Sequence, residues 1–143
     1  MIPKWEYEGL LISEIPDTEA VGFVYEITYK DPKTGQVSKY IGKKNFYSVR
    51  NVKKGKRELA AMTDMRGSKK KQVIKESNWL KYQSSHEDLK KAEPFYLEKK
   101  ILVLCYSKSE LTYQETKHLF VNEVLEKDEY LNSNILGKFY KAT

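Results

Sequence analysis

The residues that could do chemistry are two tyrosines, one arginine and one glutamate: Tyr25, Tyr40, Arg50 and Glu115. Hydrolysis of a phosphodiester needs a positioned water, a group that takes its proton, and positive charge around the phosphoryl oxygens. A glutamate can hold one Mg²⁺ or Mn²⁺ ion, which takes few protein ligands and keeps most of its waters. An arginine can clamp a phosphate through its planar fork of donors. These residue types therefore fit single-metal hydrolysis of a phosphodiester.

The two tyrosines are assigned different tasks. Tyr25 is the candidate general base or water-positioning group, and Tyr40 is expected to orient water or phosphate. A free phenol has a pKa of about 10, so Tyr25 is a base at neutral pH only if nearby cations lower that pKa. Lys43, Lys44 and the metal ion are predicted to do so.

The basic residues are concentrated in one part of the chain. Residues 39–81 contain 14 Lys or Arg and 3 Asp or Glu, whereas the rest contains 12 basic and 17 acidic residues. A solvated lysine-rich surface is one interpretation, but charge segregated in this way favours a polyphosphate partner, nucleic acid first and an anionic membrane second. The residues predicted to contact nucleic acid are Lys53, Lys54, Lys56, Arg57, Arg66, Lys69, Lys70 and Lys71.

Length and composition limit the class of protein. The chain has 143 residues, one domain's worth, and its single cysteine excludes an internal disulfide, which fits a reducing cytoplasm. Two histidines and one cysteine exclude a Cys/His zinc site. No apolar run reaches membrane-spanning length, and the first nine residues lack a signal-peptide layout. We therefore predict one cytoplasmic domain over residues 1–143 without membrane contact, in which 1–20 is an N-terminal extension and 53–76 a basic loop.

A β-hairpin is predicted to carry both tyrosines. Residues 22–29 are rich in aromatic and β-branched side chains, and residues 37–43 form a second strand. Between them, Asp31-Pro32-Lys33-Thr34-Gly35 has proline early and glycine late, the composition of a turn. A short turn between two strands makes an antiparallel hairpin.

The remaining helices, loops and third strand are predicted as follows. Residues 1–20 are expected to wrap the core without regular structure, 45–52 to form a short helix with Arg50, and 53–71 to form a long mobile loop. Helices are predicted from Ser77, through Trp79 and Tyr82, and from Ser85 to Glu93-Pro94. A third strand spans 95–106, a long helix with Glu115 runs from 109 to about 126, and residues 128–143 form a loop or short helix.

The tyrosines also stand in a recognisable pattern. Phe23-Val24-Tyr25 and Tyr40-Ile41-Gly42, on paired strands, resemble the two-part signature of the GIY-YIG nuclease superfamily, with Phe23 in place of the first glycine and Gly22 just before it. The stretches 76–79 and 82–85 further resemble phage-encoded, homing-endonuclease-like proteins. The resemblance covers roughly residue 22 to the C-terminus. Lys43 and Lys54 depart from the family pattern, which often has Ser or Thr and histidine there.

The resemblance implies a fold, a site and an activity. The fold is a compact α/β sandwich with a three-stranded antiparallel sheet flanked by helices. One Mg²⁺ or Mn²⁺ ion would be bound by Glu115, and the implied catalytic residues are Tyr25, Tyr40, Arg50, Glu115, Lys43, Lys44 and Asn134, with Asn132 as the alternative asparagine. The implied activity is metal-dependent hydrolysis of DNA, most simply double-stranded DNA, with a homodimer or a partner protein for double-strand cutting.

Two other functions stay open. One is a nucleic-acid-binding module that keeps the nuclease fold and does not cut, and the other is a nuclease that acts on RNA.

Each site residue also has a purely structural interpretation. The tyrosines could cap the core with their hydroxyls in water, Arg50 could be one of many solvated basic residues, and Glu115 could close a capping box begun by Thr112. His118 makes a Glu-x-x-His pair with Glu115 but is expected to be structural or to support the site indirectly. Trp79 and Tyr82 are expected in the core rather than stacked on bases, and both asparagines are by default loop formers.

Overall fold

A sheet of five strands runs through the centre of the fold, in the order β2-β1-β7-β3-β4. The computed structural model describes residues 4–61 and 70–142. Its strands and helices, in chain order, are β1 (Trp5–Tyr7), β2 (Leu10–Ile12), β3 (Gly22–Lys30), β4 (Val37–Asn45), β5 (Tyr47–Lys53), α1 (Lys56–Ala60), β6 (Lys70–Glu76), α2 (Glu87–Lys91), a 3₁₀ turn (Pro94–Tyr96), β7 (Leu97–Cys105), α3 (Lys108–Val121), β8 (Asn134–Ile135) and β9 (Phe139–Tyr140).

The predicted hairpin is confirmed as β3 and β4. The two strands pair antiparallel over their full length, from Gly22 opposite Asn45 to Lys30 opposite Val37. In the turn, the Asp31 carboxylate accepts the Lys33 N–H at 2.8 Å and Gly35 adopts a φ of +73°, as the turn residues predict.

The mixed α/β fold class is confirmed, but the prediction of three strands is wrong. The first residues do not wrap the core irregularly: β1 and β2 form a hairpin, and β1 pairs parallel with β7. Trp5 holds this hairpin in place, because its ring is fully buried and its indole N–H donates to the Trp79 carbonyl at 2.7 Å. Strands of three residues are too short for alternating polarity to be visible in sequence.

Each face of the sheet has its own core. On one, which we call the aromatic face, Trp5, Phe23, Tyr25, Phe46 and Trp79 are buried together. On the other, the helix face, side chains from the strands and from α3 pack together; the buried ones include Val24, Ile41, Leu111, Leu119 and Val124. Successive residues of a strand point to opposite faces, so β3 and β4 contribute to both cores.

Two predicted helices are replaced by other structure. Residues 47–53 form a strand rather than a helix and pair antiparallel with β6, in place of the expected loop. The partner strand begins seventeen residues after β5 ends, so no local pattern predicts the pairing. Residues from Ser77 to Ser84 form turns, in which the Ser77 hydroxyl accepts the Trp79 N–H at 3.2 Å.

The remaining helices are shorter than predicted. α2 is capped by His86, whose Nδ1 accepts the Asp88 N–H at 3.2 Å, instead of by Ser85. α3 begins after the N-cap Ser107 and ends at Val121, because the chain turns at Glu123, which has a positive φ of 52°. None of the helices in the described part of the chain is long and apolar enough to cross a membrane.

The C-terminal segment lies along the outer edge of the sheet. β4 is an edge strand, and Lys39 bonds through its backbone to Glu129 and Leu131, at 2.7 Å each. Asn132 continues this contact: its side chain accepts the Ile41 N–H at 3.1 Å and donates to the Ile41 carbonyl at 2.8 Å. The segment thereby pairs with β4 up to Ile41 and fixes the strand that carries Tyr40.

Candidate active site

Tyr25 and Tyr40 lie next to each other on the aromatic face, with ring centroids 6.3 Å apart. The register places Tyr25 opposite Gly42, and the Tyr25 ring crosses that glycine. A Cβ at Gly42 would lie 2.5 Å from the Tyr25 hydroxyl and 3.0 Å from Tyr40 Cε1. The glycine of the second signature is therefore required by the packing of the two tyrosines.

Tyr25 is buried, which differs from the expected position in an open cleft. It is 1% exposed and packs edge-on against Trp5 and Tyr82, with centroid distances of 5.4 and 5.9 Å. Burial, together with the neighbouring Tyr82, raises the pKa of the Tyr25 phenol, while a hydrogen bond with Ser84 lowers it by less. Lys43 and Lys44 do not offset this effect. Burial thus opposes the role of Tyr25 as general base, and both that role and a positioning role remain predictions.

A turn at Ser84 and Ser85 covers the two tyrosines, and sequence reasoning missed it. Ser84 is 1% exposed and has a φ of +87°, a conformation that costs free energy in a residue with a Cβ. Its hydroxyl accepts the His86 N–H at 3.1 Å, and the Ser85 hydroxyl bonds the Tyr40 hydroxyl at 3.2 Å. The only signal in the sequence was the resemblance of residues 82–85 to the phage proteins, because positive φ at a serine is not visible in sequence.

Tyr40 packs against the aromatic face from β4. It is half-buried, and its ring lies 5.8 Å from that of His86. Burial raises the pKa of its phenol, the hydrogen bond with Ser85 lowers that pKa by less, and the negative charge of Glu115 contributes a smaller rise. Glu115 therefore acts on Tyr40 although α3 packs on the other face of the sheet.

Glu115 stands in the middle of α3 between two core residues, Leu111 and Leu119. It is half-buried, and burial raises the pKa of its carboxyl, whereas the positive charge of Lys43 lowers it by less. The capping-box interpretation is wrong, since Ser107 caps the helix. The Thr112 hydroxyl accepts instead from Lys43 Nζ at 2.9 Å. Lys43 thereby connects the edge strand to α3 beside Glu115.

The donor set around Glu115 fits one hard cation with many waters. Among the described residues, no group of three His, Cys, Asp or Glu side chains could hold a metal together. Such a set does not suit zinc, which takes three or four protein ligands, but it suits Mg²⁺, which is bound through one or two carboxylates plus phosphate oxygens and water. A half-buried carboxylate with a raised pKa is also stabilised by a cation. His118 is directed elsewhere, since its Nδ1 donates to the Gln114 carbonyl at 2.7 Å.

A basic groove leads away from Glu115 along the end of β4. Its volume is about 390 Å³, and it is lined by Lys43, Lys44, Asn45, Lys108, Leu111 and Thr112. The Lys44 ammonium also lies 4.3 Å from the centroid of the Tyr82 ring, and burial lowers its pKa. Three lysines in one groove can hold an anionic chain next to Glu115 and Tyr40.

Arg50 is not in this site. It lies exposed on β5, opposite Val73 of β6, rather than on a helix. The described residues give it no hydrogen bond or ion pair with Tyr25, Tyr40 or Glu115. The expectation that these four side chains line one cleft is therefore wrong for Arg50 and for the buried Tyr25.

Asn132 and Asn134 differ in burial and in their hydrogen-bond partners. Asn132 is 5% exposed and is bonded to both backbone groups of Ile41. Asn134 is exposed on β8, where its side chain accepts the Gly137 N–H at 3.0 Å. The structure thus places Asn132 against the signature strand, and Asn134, the first choice from the sequence, only supports a turn.

Those residues predicted to contact nucleic acid that the structure describes lie on or beside β5, α1 and β6, not on α3 with Glu115. Lys53 ends β5, Lys54 follows it, and Lys56 and Arg57 lie in α1; Lys54 is half-buried and the other three are exposed. Lys71, on β6, forms an ion pair with Glu58 of α1. Lys70 begins β6, and Arg66 and Lys69 fall outside the described residues.

Comparison with known proteins gives one match. Residues 5–135 match a family model described as "Putative endonuclease segE, GIY-YIG domain". The match begins at β1, well before the signature residues, and includes the site around β4 as well as β5 and β6. Neither the search of curated proteins nor the search of solved structures found a match.

Proposed function

The chain belongs to the segE-type GIY-YIG endonuclease domain family, and from this premise we propose that it hydrolyses phosphodiester bonds of double-stranded DNA with the help of one divalent cation. The observation that carries the proposal is the placement of Lys43 beside the half-buried Glu115, since the Lys43 ammonium donates to Thr112, about one helical turn from that carboxylate. Tyr40 lies three residues before Lys43 on the same strand. Burial raises the pKa of Glu115 and the charge of Lys43 lowers it by less, while the charge of Glu115 makes a small contribution to the raised pKa of Tyr40.

Glu115 is the residue that would hold the cation. Bound Mg²⁺ or Mn²⁺ would supply positive charge for the phosphoryl oxygens and lower the pKa of a water ligand. Because the carboxylate is half-buried and has a raised pKa, it is charged only at a cost in free energy, and a cation offsets that cost.

Tyr40 would act as a hydrogen-bond donor. Its phenol stays protonated at neutral pH, since burial and the charge of Glu115 both raise its pKa. The bond to Ser85 restricts the orientation of the hydroxyl, so Tyr40 can direct a water or a phosphate oxygen.

Lys43 would stabilise charge on the phosphate. Its ammonium is held by the Thr112 hydroxyl, one helical turn from Glu115. Lys44 and Lys108 extend the same positive groove and can bind the flanking phosphates. Tyr25 would position Tyr40 and Gly42 from inside the core and would not move a proton.

One alternative is favoured by a specific observation. Tyr25 is buried and Arg50 lies exposed on the separate β5–β6 sheet, so two of the four predicted catalytic residues are not seen gathered around Glu115. A nucleic-acid-binding module that keeps the fold and does not cut accounts for that arrangement without catalysis.

Plasmid cleavage distinguishes the two functions. With supercoiled plasmid and Mg²⁺, the protein should yield nicked and linear DNA, and EDTA should stop the reaction. Glu115→Gln should abolish cleavage, and Tyr40→Phe should slow it by roughly 10²- to 10³-fold, the usual cost of losing one hydrogen-bond donor to the developing charge.

Both variants should bind duplex DNA within a few-fold of the wild-type protein, because the lysines supply affinity. Gln114→Asn, on the same helix, is a suitable control and should cut normally. Its backbone carbonyl, which accepts from His118, is unchanged by the substitution. If wild-type protein leaves plasmid intact in both Mg²⁺ and Mn²⁺, the binding module replaces the nuclease. If Glu115→Gln cuts at the wild-type rate, the assigned site is wrong.

A further inference from the structure

The strands β5 and β6 form a two-stranded ribbon that stands apart from the main sheet. They bond to each other over seven residue pairs, from Tyr47 opposite Glu76 to Lys53 opposite Lys70, and form a sheet of their own. A free two-stranded hairpin is only marginally stable in water, and most of the described side chains on both strands of this ribbon are exposed. A ribbon of this kind therefore suggests a binding partner.

The base of the ribbon is fixed in the core. Phe46, which precedes β5, is fully buried between Phe23 and Trp79, at centroid distances of 4.9 and 5.2 Å. Ser77, which follows β6, donates its N–H to the Phe46 carbonyl at 2.8 Å. The ribbon therefore begins directly after β4, the strand that carries Tyr40 and Lys43.

One face of the ribbon, which we call the amide face, carries two exposed amides side by side. Asn51 and Gln72 are direct cross-strand partners in the middle of the ribbon, and both are exposed. The next pair on this face is Val49 with Ile74, which are 55% and 68% exposed. Amide side chains can bond both N6 and N7 of adenine in the major groove, and apolar side chains contact the thymine methyl group.

The opposite face is basic. Arg50 and Lys75 lie there, both exposed, together with Lys71, which pairs with Glu58 of α1. Across the two strands there are five basic residues and one acidic residue. Charge of this sign favours a polyanion over a protein partner as the occupant of the ribbon.

The dimensions also match a DNA groove. Two strands are about 4.8 Å apart, and the major groove of B-DNA, about 12 Å wide, admits a two-stranded ribbon. Seven residues at about 3.3 Å each extend roughly 23 Å, enough to pass several base pairs.

We propose that the β5–β6 ribbon enters the major groove of duplex DNA, with the amide face against the base edges and Arg50 and Lys75 on the flanking phosphates. The ribbon then selects the sequence at which the DNA is delivered to the edge of β4. This inference rests on the proposed function for its partner, double-stranded DNA, but does not require that the DNA be cut.

Binding should be measured without cleavage, with Glu115→Gln protein in EDTA. Selection from random 30-base-pair duplexes should enrich a motif with A·T pairs. On the enriched duplex, Asn51→Ala/Gln72→Ala should bind on the order of 10- to 100-fold more weakly, since these side chains specify bases. On unselected duplexes the same variant should bind within about two-fold of the parent, because amides contribute little to phosphate binding.

Arg50→Gln/Lys75→Gln should behave differently. It should weaken binding to all duplexes alike and reduce the slope of log affinity against log salt by about two, one for each phosphate that is no longer neutralised. Lys30→Gln/Lys33→Gln, which removes the same charge at the far end of the β3–β4 hairpin, is the matched control and should leave the slope unchanged. All these side chains except half-buried Glu115 are exposed, and the unfolding midpoint should confirm that every variant is folded.

Several outcomes would overturn the proposal. The amide variant could keep both the enriched motif and its affinity, or the ribbon charge variant could weaken binding no more than the control. Tighter binding of duplex RNA would also overturn it, because the A-form major groove is too deep and narrow for a ribbon. A protein that binds through the ribbon in EDTA but never cuts in Mg²⁺ would refute the proposed nuclease function and leave this inference standing.

Discussion

Gly42→Ala tests the packing that brings the two signature tyrosines together. The added methyl would lie 2.5 Å from the Tyr25 hydroxyl, 2.7 Å from its Cζ and 3.0 Å from Tyr40 Cε1. Tyr25 cannot move away easily, since it is 1% exposed and packs against Trp5 and Tyr82. Overpacking of this kind costs about 1–3 kcal/mol of unfolding free energy.

Whether Gly42→Ala raises or lowers the free energy of unfolding distinguishes overpacking from the usual effect of a glycine-to-alanine substitution in a strand. In an uncrowded strand, alanine is more stable than glycine by roughly 0.5–1 kcal/mol, because glycine loses more conformational entropy on folding. Urea unfolding should therefore show a loss at Gly42 where the default expectation is a gain. Plasmid cleavage should fall as well, because the methyl displaces the Tyr40 ring that carries the proposed donor.

Two further variants make the result specific. Gly55→Ala is the control, since its new Cβ would find only Glu58 Oε1, at 3.9 Å, and its stability should stay within about 0.5 kcal/mol of wild type. Combining Gly42→Ala with Tyr25→Phe removes the closest contact, so the methyl should cost less in that background. A Gly42→Ala protein as stable as wild type, or more so, would refute this explanation of the signature glycine.

The remaining predictions concern Glu115 and the two asparagines. Burial raises the pKa of Glu115 above its ordinary 4.5, so the folded protein holds this proton more tightly than the unfolded chain, and stability is lost as the pH rises through the folded pKa. Glu115→Gln should accordingly melt at a higher temperature than wild type at neutral pH, with the difference disappearing below pH 4.5; calorimetry showing no difference at neutral pH would contradict this. Asn132→Ala should lower the unfolding free energy in urea by about 1–3 kcal/mol because it leaves the Ile41 N–H and carbonyl unpaired, while exposed Asn134→Ala should cost under about 0.5 kcal/mol. Equal costs for the two asparagines would show that the edge of β4 does not depend on Asn132.

The elements that sequence predicted well are those specified by neighbouring residues. The β3–β4 hairpin follows from a proline–glycine turn between two strands of alternating character, and all of its signals lie within 24 residues. The long helix follows from the spacing of Leu111 and Leu119, which the structure buries. The resemblance to the family likewise rested on short motifs, two in the hairpin and two in the stretches 76–79 and 82–85.

The elements that were missed depend on distant partners. β1 is defined by its pairing with β7, and β5 by its pairing with β6, and neither relation leaves a local pattern. The burial of Tyr25 is of the same kind, because Tyr82 and Ser84 cover it from a turn nearly sixty residues further along the chain. The residues next to Tyr25 in the sequence do not indicate whether a distant part of the chain covers its hydroxyl.

Arg50 shows how an unpredicted strand pairing changes the position of a predicted functional residue. Ten residues beyond Tyr40 span about 15 Å on a helix but about 33 Å on extended strands, so one spacing can place an arginine at the phosphate or far from it. Here the strand conformation carries Arg50 out along the ribbon, and the positive charge next to Glu115 comes from Lys43, with Lys44 and Lys108 in the adjoining groove. Lys43 stands where the family often has Ser or Thr, so this departure from the pattern supplies the cation that the displaced arginine does not. Under the two proposals, binding and cleavage would belong to different parts of one continuous stretch: the ribbon would hold the duplex, and the end of β4 that leads into it would act on the backbone.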